Sequence, residues 1–325
     1  MKKRLASSIA VLAITVLSTA ACGSGGTSSS ASNYPKSPVK IVVPFNAGGG
    51  SDAVARQIAA QLEDELDATF IVENKPGAAG VLGTDSVSKA KPDGYTLLST
   101  NSFAFTAQQK LRKTSYTSEN FDPIAEESSY GLVQVVRADS PWNSVGDMLK
   151  AGKLTYAHPG VGGMVQVGQA ALFKAAGIDA QGVPFDGSAP SVTALLGSQV
   201  DTTATEIGVA LPYIKSGQLK ALSVSTPQRV EQLPDVPTVA EAGYPDAGIT
   251  ASEVLLAPAG LPKEVAEALE NAVKDAVATE KVSGFLKNSV YERGEVVGSE
   301  LDEHMSQTLT KVTDLITKLN IQVAQ

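Results

Sequence analysis

The stretch KIVVPFNAGGGSDAVARQ, from Lys40 to Gln57, places a short apolar run before a glycine-rich turn and a segment with helical spacing. A turn free of side chains lets backbone N–H groups converge. The helix start behind it adds unpaired donors and the positive end of its dipole, so the combination suits an anion. Phe45, Asn46, Ala47, Gly48, Gly49, Gly50, Ser51 and Asp52 form this first candidate loop. Gly49 is expected at a positive φ or a close approach, and Ser51 or Asp52 is expected to cap the helix. From this stretch alone, a helix start whose glycines only shape the turn explains the pattern equally well. The device recurs at TYAHPGVGGMVQ, where His158, Pro159, Gly160, Val161, Gly162 and Gly163 join an apolar run to a second helical segment. Two such turns facing each other across a cleft would hold a small acid without any arginine.

Other chemistry is sparse. Gly48 to Ala53 also satisfies G-x-G-x-x-[GA], with Glu73 placed as a ribose-binding acid would be, which is the pattern of a dinucleotide site. Against it, Pro44 to Ala47 separate the apolar run from the glycines, and Glu73 to Gly77 read as a turn. His158 and His304 are the only histidines, so no His-rich metal site or paired base can be assembled, and no metal ligands are assigned. His158 reads as an exposed loop ring, His304 as part of a polar helix face, and Glu63, Asp64 and Glu65 as a solvated helix face.

The elements that must position these turns follow a β-α-β order. KIVVPF precedes Val54, Ile58, Leu62 and Leu66 at four-residue spacing, then TFIVE and GYTLLST follow. A second unit runs through GLVQVV, LTYAHPG, a helix from Val165 to Ala176, GVPF, a helix ending near Gly197, VDTTAT and LKALSVS. EVLLAPAG, a helix from Lys263 to Ala278 and a final one carrying Leu301, Met305, Leu309, Val312, Ile316 and Leu319 close the chain. This is α/β organisation with a parallel or mixed sheet. The Pro- and Gly-punctuated region from Thr226 to Gly260 is long enough to wrap one unit before rejoining the other. If the last two helices return to the first sheet, the chain crosses between lobes twice, as a hinged clamp does.

The N-terminus reads as an export signal: Lys2, Lys3 and Arg4 precede an apolar stretch from Leu5 to about Ala21. Cys22, the single cysteine, follows LSTAA and precedes GSGGTSSSASN, which resembles a bacterial lipobox with Thr19 in place of the preferred Leu. A lipid anchor on Cys22 and a flexible linker are the reading, with exposure on the outer face of the cytoplasmic membrane, or in the periplasm if the host has two membranes. One cysteine in 325 residues excludes an intramolecular disulfide framework, so packing must stabilise the fold. The net charge of -8 argues against a nucleic-acid partner and gives no long-range help to an anion, so any anion site must be local.

Five segments in register, PFNAGGGSDAVAR, VENKPGAAGVLGTDSVSKAKPDGYTLL, VPFDGSAPSVTALLGSQVD, LPYIKSGQLKALSV and LPDVPTVAEAGYPD, resemble the Bug-type, or tripartite tricarboxylate transporter, solute-binding receptors. The resemblance spans Tyr34 to about Val277. It implies a two-lobed periplasmic-binding fold of type II, a Venus flytrap in which each lobe is a mixed sheet flanked by helices. Residues 1–21 are then the signal peptide and 22–36 the anchor and linker. The first lobe takes 37–134 and 255–325, and the second takes 135–254. The family implies a non-enzymatic, monomeric receptor with no cofactor, which passes a small carboxylate to one large and one small membrane subunit.

Carried over by motif, Phe45 to Asp52 and His158 to Gly163 hold the ligand carboxylate, with Asp186 and Gly187 of PFDG at the border. Thr100, Asn101, Ser102 and Phe103 form a further wall, and Thr205 and Glu206 face the distal end. Two departures bear on the ligand. His158-Pro159 replaces the Ser-rich second loop usual among relatives, and Glu253 stands in TASEVLLAPAG where an aromatic is common. Glu206 would repel a second carboxylate unless a cation or proton intervened. That leaves a monoacid with a polar tail, or a polyacid such as citrate carrying a divalent cation. A receptor that presents its ligand to a sensor kinase, and an exported NAD(P)-dependent oxidoreductase, are the alternative functions.

Overall fold

The computed structural model describes residues 34–318. The signal segment, Cys22 and Leu319 lie outside the described residues, among which no helix is long and apolar enough to cross a membrane.

In chain order the elements are β1 (Val39–Val43), α1 (Gly50–Leu66), β2 (Phe70–Asn74), α2 (Val81–Ser88), β3 (Thr96–Asn101), α3 (Ser102–Leu111) and β4 (Phe121–Arg137). Next come α4 (Val145–Met148), β5 (Lys153–His158), α5 (Met164–Ala175), β6 (Asp179–Pro184), α6 (Ser188–Leu196), β7 (Thr202–Glu206), α7 (Ile207–Lys215) and β8 (Leu219–Val224). The chain closes with β9 (Thr250–Pro258), α8 (Lys263–Ala278), α9 (Glu280–Asn288), β10 (Glu292–Arg293) and α10 (Gly298–Lys318). The closing region thus holds three helices where the pattern suggested two. Thr279, in extended conformation, ends α8 and caps α9, its Oγ1 accepting the Val282 N–H at 3.3 Å. A single capping residue inside a run of helix-forming residues is easily read as continuous helix. Glu73 lies within β2 and not in the turn that follows it.

Two mixed sheets share β4. On one side β2 and β3 pair in parallel with β1, while β9 is antiparallel to both β3 and β4. On the other side β6 and β7 pair in parallel with β5, while β7 and β8 pair antiparallel with β4. Side chains alternate across each sheet as the pleat requires. In β1 and β9, Ile41 and Leu255 pack with α1 and α8 residues such as Ile58 and Val273, and Val42 and Val254 pack on the other face with Phe105, Leu301 and Met305. The second sheet is covered by α5 on one face and by α6 and α7 on the other. Helix α10 contributes to both units: Leu301 and Met305 bury beside the first sheet, while Val312 and Leu315 join the core around Leu154 and Phe173.

The register along β4 fixes how the two units face one another. Phe121 to Gly131 pair with β9, and Leu132 to Arg137 pair with β7 and β8. Strand β3 runs antiparallel to β9, hence in the direction of β4, whereas β7 runs against it. The C-terminal ends of the parallel strands in the two sheets therefore point toward each other. Asn101, the end of β3, is level with Glu253 and through it with Ser128; Glu206, the end of β7, is level with Leu132. Between them lie Ser129, Tyr130 and Gly131, a gap of about 13 Å at ~3.3 Å per residue. A ligand site outside the carboxyl ends of the strands is the general rule for such sheets.

Candidate ligand-binding cleft

The first loop follows β1 and lies at this facing edge. Asn46, Ala47, Gly48, Gly49 and Gly50 are exposed, and Phe45 and Ser51 are half-buried. Gly48 takes the left-handed conformation at φ 82. Gly49 is the extended N-cap at φ -81 and ψ 174, so the residue that requires glycine for its φ is Gly48, not Gly49 as the pattern suggested. Neither Ser51 nor Asp52 is the N-cap. Asp52 lies in the first turn, and its buried carboxylate reaches back to accept the Gly48 N–H at 2.9 Å. Arg56 at 2.9 Å and the Asn74 amide at 2.9 Å hold the other carboxylate oxygen. Burial pushes the Asp52 carboxyl up, yet the hydrogen bonds from Arg56, Gly48 and Asn74 hold it below the usual carboxylate range. The first helical bond runs from the Ala53 N–H to the Gly49 carbonyl at 3.0 Å, so the N–H groups of Gly50, Ser51 and Asp52 have no intrahelical acceptor.

The second loop repeats this arrangement after β5. Gly162 has φ 81, and Gly163 is the extended N-cap at φ -78 and ψ 164. The Gln166 side chain accepts the Gly162 N–H at 2.6 Å, and the Val167 N–H starts the helix by bonding the Gly163 carbonyl at 3.0 Å. Behind the loop His158 is buried and not exposed as its loop position suggested, with Nδ1 against the Gly160 carbonyl at 2.8 Å. Burial lowers its proton affinity, partly opposed by that bond, so the imidazole is neutral near pH 7. Pro159, Gly160 and Val161 are half-buried. Asp186 and Gly187 are adjacent, since the Phe185 N–H donates to the His158 carbonyl at 2.9 Å; Asp186 is exposed and Gly187 is the N-cap of α6.

The remaining motif residues end strands at the same edges. Thr100 is buried within β3. Asn101 caps α3 by accepting the Ala104 N–H at 2.9 Å and donates its amide to the Tyr130 hydroxyl. Thr205 is buried and its hydroxyl donates to Glu206 at 3.1 Å. Ser102 is the exception: its hydroxyl accepts the Ser252 N–H at 3.0 Å, and it lines a separate cavity of about 980 Å³ with Glu126, Ser252, Arg293 and His304. No residue of either glycine loop lines that cavity, whose wall nearest the facing strand ends includes Ser129, Tyr130 and Tyr291. The loops, with their free N–H groups, are the stronger candidate for an anion.

Three groups at the cleft were not part of the motif set. Glu253 is 1% exposed, and its Oε2 has no hydrogen-bond partner. Burial pushes its carboxyl up to about 7, opposed by hydrogen bonding from Ser51, Asn101 and Tyr130 and reinforced by repulsion from Glu206. The Tyr130 and Tyr291 rings pack at a tilt of 57° with centroids 5.0 Å apart, and burial holds both phenols protonated. The Tyr291 hydroxyl lies where a side chain at Gly50 would go, so glycine is required there for close approach. Behind them Glu127 is fully buried, with one oxygen accepting from Ser99 at 2.7 Å and the other unpartnered; burial, with repulsion from Glu253, pushes it up to about 8. The sequence signal for these acids is their presence in otherwise apolar strands, in FDPIAEESSYGLVQVV and TASEVLLAP. Glu73, the candidate ribose ligand, is held by Lys40 at 2.7 Å and Lys75 at 3.2 Å.

Residues 54–321 match the model of the tripartite tricarboxylate transporter family receptor. The structure of periplasmic binding protein BugD is similar over 89% of this chain and 99% of its own, at 31% identity and a TM-score of 0.79. MatC from Rhodopseudomonas palustris, solved with bound malate, shares 29% identity over 87% of this chain and 100% of its own, with a TM-score of 0.79. A second Rhodopseudomonas palustris protein, solved with adipate, shares 25% identity over 89% of this chain and 99% of its own, with a TM-score of 0.82.

Proposed function

The chain belongs to the tripartite tricarboxylate transporter family of receptors, and from that premise we propose that it captures a small organic acid between the two glycine loops and performs no chemistry on it. The observation that carries this reading is the repeated loop. Each of two long helices opens with free N–H groups behind a left-handed glycine, after β1 in one sheet and β5 in the other, parallel strands whose C-terminal ends point toward each other along β4. Fixed backbone donors suit a carboxylate without requiring a formal positive charge. The lobes 37–134 with 255–325 and 135–254 then close by hinge motion about the shared strands.

The relatives solved with malate and adipate support a dicarboxylate, and a tricarboxylate such as citrate is the larger acid this proposal includes. Such a ligand must meet Glu206 and Glu253, which favours delivery as a divalent-metal complex or with other positive charge. The acid is handed to the large and small membrane subunits of a tripartite transporter, and Cys22 tethers the monomeric receptor to the outer face of the cytoplasmic membrane. A thermal-shift screen of the purified protein against mono-, di- and tricarboxylates, each with and without calcium or magnesium, tests the ligand class. Ligand binding to the folded state raises the melting temperature by mass action. Silence across every acid and cation would refute the carboxylate reading. Uptake of the identified acid that survives deletion of the gene would refute transport.

A further inference from the structure

The separate cavity of about 980 Å³ shares no residue with the glycine loops, yet its volume is that of a small-molecule site. Its charges are unbalanced. Among the Lys, Arg and Glu side chains of its wall, Lys287 pairs with Glu231 at 3.3 Å and Arg229 pairs with Glu241 at 3.0 Å. Glu126, Glu292, Glu295 and Arg293 are left, and among the described residues none of the four has an ion-pair partner. Three carboxylates thus share the wall with one guanidinium. Glu126, on β4, is 6% exposed. One of its carboxylate oxygens accepts the Ser252 hydroxyl and the other accepts the Glu295 N–H at 3.2 Å, so neutral donors orient the group and no cation neutralises it. The segment carrying Glu292 and Glu295 is pressed onto the same strand. Glu292 and Arg293 pair with Ser129 and Ser128, the Glu126 N–H donates to the Val296 carbonyl at 2.9 Å, and backbone of Glu126 and Glu127 fills the place of a side chain at Gly294. Backbone contacts therefore fix the three carboxylates on one stretch of wall.

Much of the remaining wall is apolar or aromatic. Val254, Leu301 and Met305 line it, as do Leu286 and Val290, together with the Tyr130 and Tyr291 rings. A buried carboxylate without a counter-charge is costly, and a cation from solution relieves that cost through charge-assisted hydrogen bonds. Ring faces add to the attraction for a cation. An anion would meet the excess of carboxylates. A bare metal ion fits poorly, because among the described residues no three His, Cys, Asp or Glu side chains gather to hold one, and it would leave the apolar wall uncovered. We infer that this cavity is a second ligand site, separate from the anion loops, for an organic ammonium ion with an apolar body, its nitrogen held by Glu126 and Glu295 and its body lying against Val254, Leu301 and Met305.

Because the site lies apart from the glycine loops, it stands or falls independently of the carboxylate-receptor reading. Isothermal titration of the purified protein would compare phenethylamine with phenethyl alcohol and hexylamine with hexanol, pairs that differ in one charged group, with phenylpropionate as the anionic counterpart. At least one amine is expected to bind about ten-fold or more tightly than its alcohol, since hydrogen bonds to an ionised partner are the stronger ones. Glu126→Gln should abolish that preference while the variant still melts cooperatively. Glu295→Gln, at an exposed position, should reduce the amine's advantage several-fold and leave the alcohol unchanged; it decides alone if Glu126→Gln does not fold. Equal binding of amine and alcohol, tighter binding of phenylpropionate, or silence from every probe overturns the assignment. A preference for the amine that survives both substitutions also overturns it, because the ammonium would then lie elsewhere on the protein.

Discussion

The two glycine loops solve the same problem with different side chains. Gly48 and Gly162 share a left-handed φ of 82 and 81, and both helices begin after an extended glycine. In each, a side chain in the first turn accepts the glycine N–H, Asp52 at 2.9 Å in one and Gln166 at 2.6 Å in the other. The first loop uses a buried carboxylate neutralised by Arg56; the second uses a neutral amide and a buried, neutral His158. What they share is the set of free N–H groups at the helix start; on the proposed reading, the backbone defines the anion site and the side chains hold the turn closed. What differs is the backing: acidic groups behind the first loop, an imidazole behind the second.

The comparison is broken most severely at the glycines. Gly48→Val and Gly162→Val each force a β-branched residue into left-handed backbone, at ~1–2 kcal/mol or more, and misdirect the donors. Each should weaken ligand binding about 100-fold, or ~3 kcal/mol, by calorimetric titration. If one variant binds normally, the loops are not equivalent. Next in size, Asp52→Ala should lower the unfolding free energy by ~2–3 kcal/mol, because it leaves the Gly48 N–H, Arg56 and Asn74 without their shared acceptor. Gln166→Ala should cost only ~1 kcal/mol. Denaturant midpoints give both values, and equal losses would mean that the charge in the first loop contributes nothing.

The difference in backing is sharpened by pH. Glu127 and Glu253 are raised from 4.5 to about 8 and about 7, so the folded protein binds more protons than the unfolded chain between those values. Their contribution is complete below about pH 4.5 and is lost as pH rises through 7 to 8. His158, with lowered proton affinity, acts in the opposite sense: its contribution is present above its ordinary 6.5 and declines as pH falls through its folded value. Melting curves from pH 5 to 8 should show stability falling with pH in the wild type and a flatter profile in Glu127→Gln. An unchanged slope would mean that Glu127 ionises normally. The smallest effect belongs to Asp186→Ala at the exposed border of the second loop, less than about 0.5 kcal/mol in stability.

Much of the architecture was legible because it is local. The strand, turn and helix order, the helix from Lys263 to Ala278 and the solvated face at Glu63, Asp64 and Glu65 follow from periodicity and match the structure. The division of labour among Gly48, Gly49 and Gly50 was not legible, since three adjacent glycines carry no mark of which has positive φ and which is closely approached. The placing of Glu253 level with Asn101 and Ser128 was also hidden. It depends on the register of β9 against β3 and β4, which joins residues far apart in the chain. His158 was misread because a loop position suggests exposure, whereas packing beneath the turn buries the ring.

The most direct test of the account is one calorimetric series with a carboxylate that raises the melting temperature of the wild type, titrated into wild type, Gly48→Val and Gly162→Val. The account predicts measurable binding in the wild type and its loss in both variants, with each variant still giving a cooperative melt. Full binding in either folded variant would contradict the claim that the two loops hold one carboxylate between them.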